Sequence, residues 1–357
     1  MTTIEIARLL TFSIGYIIIF FSLLPLIKSD YWAIRVFDYP RSQKFWLNTI
    51  ILVLFLFLSD FGRTHDVFFM IALFLNELYL LSLIWSYTLL ASNQMKKNPQ
   101  GEVRATIKIL IANVFQDNKN ASLCNNLITQ FAPDIVLLVE TDERWVKDVQ
   151  PCVGKYPYRV LQPQPNTYGM VLFSKLEIIK YSVRFLVEAD VPSITADIKT
   201  KDGKVFRLYC LHPKPPVPGE SENSTERDAE ILIIGKEAKK LSQPVIVAGD
   251  LNDVAWSYTT NLFLKVSELL DPRIGRGFFS TYNAKYKLLR WPLDHVFCSS
   301  HFYLHNLRRL PTIDSDHFPI FIEVSLMPYE IKSNAEDKKE ADQEDHELAE
   351  EKIDAAL

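Results

Sequence analysis

The chain has 357 residues, 48% of them hydrophobic, a formal net charge of −4 and four cysteines. This length and the crowding of apolar residues into the first ninety positions argue against a single soluble domain. The near-balanced charge argues against the strongly basic surface that extended nucleic-acid grooves require.

Taken in order, residues Ala7 to Ile27 carry no charge except Arg8 and are long enough to cross a hydrocarbon core of roughly 30 Å as a helix. Two further apolar runs follow, from about Trp46 to Ser59 and from Val67 to Leu90. A signal peptide would be shorter and would end in a small-residue cleavage site, so residues 1–91 read as three membrane spans. The short second run leaves a tilted or re-entrant segment as the alternative. Lys28, Arg35, Arg41 and Lys44 lie between the first two runs, and Lys96, Lys97 and Arg104 follow the third. The other short loop holds only Arg63, so the positive-inside rule places the large domain in the cytoplasm.

Residues 92–103 read as a polar linker. Beyond it, TIKILIAN and DIVLLVE have strand character, and ASLCNNLITQF and TDERWVKDV helical character. GMVLFSK, SITADIKT and KVFRLYCLH follow as strands, then a helix from about Ser224 to Leu241 capped by Ser224 or Thr225. PVIVAGDLN, a helix near Tyr258 to Leu269, PLDHVFCSS, HFYLHNLRRL and HFPIFIEVSL complete the pattern. Roughly ten strands with few helices indicate two sheets packed face to face with helices outside. Cys124, Cys152, Cys210 and Cys298 lack CxxC spacing and read as free thiols. The segment 330–357 holds eleven acidic and four basic residues and reads as a solvated tail, disordered or helical.

The chemistry collects where apolar runs end. Glu140 closes DIVLLVE, where an ionised carboxylate is costly unless paired or bound to a metal. Asn113 has the same placement, which a turn residue would also occupy. In GDLN, Asp250 and Asn252 lie two apart, so a carboxylate and an amide share a face suited to a water and a phosphoryl oxygen. Asp253 reads as a helix cap. His212 closes LYCLH before a proline-rich loop, a position equally suited to a structural histidine. Asp316 and His317 are adjacent at a strand start, and Asp294 in PLDH is the kind of acid that orients an imidazole. Its neighbour His295 reads as structural. Trp256, Phe278, Phe279, Tyr282 and Trp291 read as core residues that could also stack bases or meet acyl chains.

Asn113, Glu140, GDLN, LDH and SDH, in this order, resemble the endonuclease/exonuclease/phosphatase superfamily over about residues 104–327. GDLNDVAWS, GRGFFSTYNA and RWPLDHVF resemble its membrane-anchored bacterial branch. The resemblance implies a four-layered α/β sandwich over residues 104–329, two packed mixed sheets flanked by helices and preceded by the transmembrane helices, held in a bacterial inner membrane. It also implies attack of water on phosphorus with Mg²⁺, or alternatively Mn²⁺. Carried over by position, Glu140, Asn113 and Asp316 are metal ligands, and Asp250 orients the nucleophile or protonates the leaving group. Asn252 binds phosphate, and His317 is the base or a phosphate-binding imidazole steadied by Asp294. His212 is a general acid or phosphate contact, although no acid is evident to pair with it. The expected partners are the bilayer and a phosphoester, a phospholipid head group or a small phosphorylated molecule. A nuclease acting on DNA or RNA is the alternative, and a receptor or scaffold without chemistry a third reading.

Overall fold

The computed structural model describes residues 1–99, 104–327 and 338–357. Three helices are long and apolar enough to cross a membrane: α1 (Thr3–Leu23), α3 (Arg41–Leu58) and α4 (Thr64–Ile84). Between the first two lies one turn of helix, α2 (Trp32–Arg35). The short second run is one unbroken helix of 18 residues. Several polar groups inside the bundle bond one another across helices, as apolar surroundings favour. Asn48 donates to the Leu73 carbonyl at 3.0 Å and to Glu77, and Arg8 meets Asp66 at 2.8 Å.

The remainder is built on two sheets. The first has the order β10-β11-β1-β2-β4-β3 and the second β5-β6-β7-β8-β9. The first uses β1 (Thr106–Asn113), β2 (Ile135–Val139), β3 (Tyr158–Gln162), β4 (Met170–Ser174), β10 (Phe302–Arg309) and β11 (Ile320–Leu326). The second uses β5 (Glu177–Arg184), β6 (Ser193–Lys199), β7 (Val205–Leu211), β8 (Val245–Asp250) and β9 (Asp294–Cys298). Only β1/β2 and β7/β8 run parallel, each joined by a crossover helix, α5 (Ala121–Phe131) or α7 (Thr225–Lys240). With α6 (Glu143–Val153) and α8 (Tyr258–Ser267) these form the outer layers, giving the expected four-layered sandwich.

Period-two alternation decides which residues face where. Ile107, Ile109 and Ile111 of β1 enter the slab between the sheets, as do Phe206, Leu208 and Cys210 of β7 and Ile246 and Ala248 of β8. Leu110 and Ala112 turn out toward α5 and α6, and Tyr209, Leu211 and Val247 toward α7 and α8. Continued by one step, the inward series reaches Asn113, His212 and Asp250. Gly249 allows the last approach: with φ +146°, a Cβ there would lie 1.9 Å from the Leu211 carbonyl oxygen.

Several local readings change. Ser224 occupies the N-cap of α7, but its hydroxyl donates to Asp228 rather than closing the cap. Asp253 does not cap α8; Ser257 does, accepting from the Thr260 N–H at 2.9 Å. Asp253 instead accepts from the hydroxyls of Ser257 and Thr260 and faces Arg35 and Arg227 at 3.6 Å. All four cysteines are free.

The segment 92–98 is not a loose connection. Met95 is buried in the inter-sheet core, and Gln94 accepts from the Asp271 N–H at 2.8 Å. Of the expected linker, residues 100–103 lie outside the described residues, as do 328–337. The acidic C-terminal stretch forms helix α9 (Gln343–Asp354), docked on α7 and α8. Its carboxylates are not simply solvated, because Ala349 and Ile353 are buried and Lys352 bonds Asp228 and Asp30. Ile353→Ala should therefore lower the stability of the full chain by about 2 kcal/mol, the low end for a large-to-small change at a core edge, seen as a lower melting temperature. An unchanged melting temperature would mean that α9 does not dock.

Candidate active site

Six strand ends deliver polar groups to one end of the inter-sheet slab. Asn113, on β1, projects across the gap. Its Nδ2 donates to Glu140 Oε1 at 2.6 Å and to Asp250 Oδ2 at 3.0 Å, joining the two sheets. Its Oδ1 accepts from the Phe115 N–H, so the amide as placed bridges two acids and presents no free oxygen. Glu140 follows β2 in left-handed conformation, φ 59°, which turns its carboxylate toward Asn113 and the Gln116 N–H. Burial pushes its carboxyl up to about 7, against the lowering effect of the Asn113 amide and of His317.

Asp250 and Asp294 are directly paired in the β8/β9 register. His317, in the connection before β11, lies between their carboxylates. Nδ1 is 2.7 Å from Asp294 Oδ2, and Nε2 is 3.5 Å from Asp250 Oδ2. Burial opposes its charge, but Asp294 and Asp250 outweigh burial and raise the imidazole to about 10. Burial and the charge of Asp250 raise Asp294 as well, so the proton belongs to the pair and is held more tightly than in water. Asp250 is held below the usual carboxylate range: burial opposes its ionisation, but the charge of His317 and the Asn113 and Asn252 N–H groups prevail.

These three side chains offer ligand atoms within 4.8 Å of one another, a geometry a metal ion can use. Here the imidazolium already fills the space between the acids. The oxygen-rich opening lies on the Glu140 side, where Asp316 is close enough for its charge to bear on Glu140 and His317. Partly exposed carboxylates at such an opening suit a hard divalent cation, and Glu140 with Asp316 are the groups that would hold it. Asn113 would join them only with its amide turned over.

Asn252 adopts φ 50° and donates to the Pro213 carbonyl at 2.9 Å through one of the two N–H groups of its side-chain amide. Its own carbonyl is clamped by Arg227 at 2.7 Å and by the Tyr39 hydroxyl at 2.9 Å. His212 is buried, and burial holds its pKa below the ordinary value, so it is neutral. Its Nδ1 has no hydrogen-bond partner among the described residues; its ring lies 5.5 Å from that of Tyr168, whose hydroxyl donates to Glu220.

Sequence reasoning missed the groups that fix these side chains. Ser315 donates to the Asn113 carbonyl and accepts from the His317 N–H, both at 2.9 Å, and Thr281 Oγ1 accepts from the Asp294 N–H at 3.1 Å. Ser315 stood inside the SDH word; Tyr39 and Arg227 had no local signal. Among the aromatics, Trp256 is fully buried, whereas the Tyr282 ring lies 5.0 Å from His317.

Residues 110–317 match the Endonuclease/Exonuclease/phosphatase family. The chain belongs to that family. Its members are phosphoester hydrolases, generally dependent on a divalent metal. A comparison with curated proteins gives no match. Among solved structures, a humanized TDP2 from D. rerio is similar at 16% identity and TM-score 0.51, covering 62% of this chain and 99% of its own. A functionally unknown conserved protein from Enterococcus faecalis V583 gives 16% and 0.51, covering 62% and 100%. An endonuclease/exonuclease/phosphatase from Beutenbergia cavernae gives 15% and 0.50, covering 62% and 72%. At these identities the likeness concerns the fold.

His295 belongs to the support rather than the site. Nδ1 faces Arg273 at 2.7 Å and Nε2 the Asp253 carbonyl at 2.8 Å, and burial with the Arg273 charge lowers its pKa to about 3. In the unfolded chain it takes its proton near pH 6.5, whereas folded it stays neutral to about 3. Its stabilising contribution is therefore complete above pH 6.5 and is lost as pH falls toward 3. In denaturant titrations from pH 7 to 4, His295→Gln should show a shallower acid loss of stability than the unchanged chain. Parallel curves would contradict this.

Proposed function

We propose that this chain is a membrane-anchored, divalent-metal-dependent hydrolase that directs water onto the phosphorus of a phospholipid head group or small phosphorylated molecule. The observation that carries the reading is the continuous bridge Glu140–Asn113–Asp250–His317–Asp294 across two sheets. Asp250, ionised and buried, orients the attacking water and accepts its proton as the new P–O bond forms and the ester P–O bond breaks, the departing oxygen taking a proton from solvent. His317, held as imidazolium by Asp294, contacts a non-bridging phosphoryl oxygen and balances its charge. Its raised pKa favours this role over that of a base. Asn252 donates its remaining N–H to phosphate, and neutral His212 donates one hydrogen bond there rather than serving as the acid. A cation held by Glu140 and Asp316 would supply Lewis-acid stabilisation of charge developing on phosphoryl oxygen.

Membrane anchoring rests on the three apolar helices, and a cytoplasmic domain on the basic residues flanking them. The balanced charge of residues 101–329, 27 basic and 26 acidic, disfavours a nuclease.

The full chain in detergent, assayed with Mg²⁺ on a phospholipid, a small phosphomonoester, bis-p-nitrophenyl phosphate and an oligonucleotide, tests the reading. Turnover should vanish with chelator and fall about 10²–10⁴-fold in Asp250→Asn and in His317→Ala. Glu140→Gln should raise the Mg²⁺ requirement. Activity indifferent to Asp250→Asn would refute the site, and preference for the oligonucleotide would restore the nuclease.

A further inference from the structure

The connection from Tyr282 to β9 forms one wall of the site and also reaches the membrane-spanning bundle. At its stem Tyr282 packs on His317, and the Ala284 N–H donates to the Asp316 carbonyl at 2.6 Å. Lys285 Nζ lies 4.6 Å from the centroid of the Phe115 ring, two residues beyond Asn113. At its tip, the carbonyls of Leu288 and Arg290 both accept from Gln43 Nε2 at 3.1 Å. Gln43 stands in the first turn of α3, so a loop of a few residues joins the catalytic centre to the mouth of a membrane span.

The surface of this tip is unlike ordinary loop surface. Tyr286, Leu288 and Leu289 are 62%, 84% and 52% exposed, with Lys285, Lys287 and Arg290 interleaved. Large apolar side chains clustered in water forgo burial, whereas apolar and basic residues together are the composition of segments lying in the headgroup layer. Trp46, in the next turn of α3, is 63% exposed, as an interfacial tryptophan is. It sets the lipid surface at the level of the loop tip.

Beside the tip is an open cavity of about 500 Å³ lined by Arg276, Phe278, Phe279, Arg290 and Arg309. The Arg290 and Arg309 guanidiniums lie 4.8 and 4.5 Å from the ring of Phe318, the neighbour of His317. All three arginines spend their hydrogen bonds on backbone carbonyls, and none is paired with a carboxylate among the described residues. Their charge complements a phosphate.

We infer that the tip of this loop, residues 286–289, inserts into the same leaflet that receives α3. There it presents the headgroup of an anionic phospholipid to the arginine-lined side of the site, so that substrate arrives from the bilayer. The delivery of substrate rests on the hydrolase reading; the insertion does not.

The insertion is tested with the full chain carrying Cys152→Ser and Leu288→Cys, labelled with an environment-sensitive fluorophore. It is placed in nanodiscs of phosphatidylcholine and phosphatidylglycerol. The label should emit as from an apolar medium and be quenched by nitroxide-bearing lipid. A label at Asp202→Cys, in the exposed turn between β6 and β7, should not. Water-like, unquenched emission at position 288 overturns the insertion whatever the activity. Delivery is read with Leu288→Asp combined with Leu289→Asp. Turnover of phosphatidylglycerol in the nanodiscs should fall roughly tenfold or more, while that of soluble bis-p-nitrophenyl phosphate stays within about twofold. Equal losses on both substrates, or none on lipid, overturn delivery. Failure of the unchanged chain to hydrolyse either would count against the hydrolase reading, with the fluorescence still deciding the insertion.

Discussion

Charge balance at the end of a dry, apolar slab governs this molecule. The inter-sheet core supplies almost no polar partners until the strands run out, and there the carboxylates of Glu140, Asp250 and Asp294 gather around one imidazole. At an interior dielectric, unpaired acids so placed would protonate or force the sheets apart. The structure meets this in two ways. Asp250 and Asp294 share the positive charge of His317, and the Asn113 amide ties Asp250 to Glu140. Glu140 retains no cation of its own, and its raised pKa records that deficit. The same deficit makes its side of the site fit for a divalent ion.

How much of this could be read beforehand follows from the same alternation. Inward-facing apolar residues announce their strands, so Asn113, His212 and Asp250 could be recognised as the next step of a buried series. The neighbouring β8/β9 register brings Asp294 beside Asp250. Strands β3 and β5 gave no such signal: β5, at a sheet edge, leaves most of its side chains in solvent, and Ile179 and Tyr181 there have no slab to face. Tertiary partners were equally invisible. Asp253 looks like a cap because it stands just before a helix, yet Arg35 and Arg227 reach it from positions 218 and 26 residues earlier. The charge of the last segment concealed its apolar stripe, because Ala349 and Ile353 are few among many acids.

The most consequential omission concerns the first ninety residues, which composition presents as a tether. Arg35 and Asp38, between α1 and α3, and Arg41, at the start of α3, join Arg227, Asp228, Asp253, Asp30 and Lys352 in one ionic cluster. Four cations there meet four anions, with Thr259 and Ser224 adding hydrogen bonds. Removing one partner from such a cluster leaves an uncompensated charge and costs about 3–5 kcal/mol. Excising the first ninety residues would remove Asp30, Arg35, Asp38 and Arg41 at once, and Asp228 and Asp253 would lose the Arg35 guanidinium that lies beside both.

The consequence reaches the chemistry through a single carbonyl. Asn252 must hold a left-handed backbone conformation for its side chain to stay beside Asp250, and a non-glycine residue does so at a cost. Its carbonyl is fixed by Arg227 from within the ionic cluster and by Tyr39 from the connection between α1 and α3. Tyr39 is itself partly buried among aromatic residues that include Trp291, at the end of the loop that lines the site. The N-terminal helical part therefore reaches Asn252 by one hydrogen bond and the loop beside the site by one packed ring. A domain cut at residue 104 would lack both, so the candidate site and the N-terminal apolar helices belong to one folded unit.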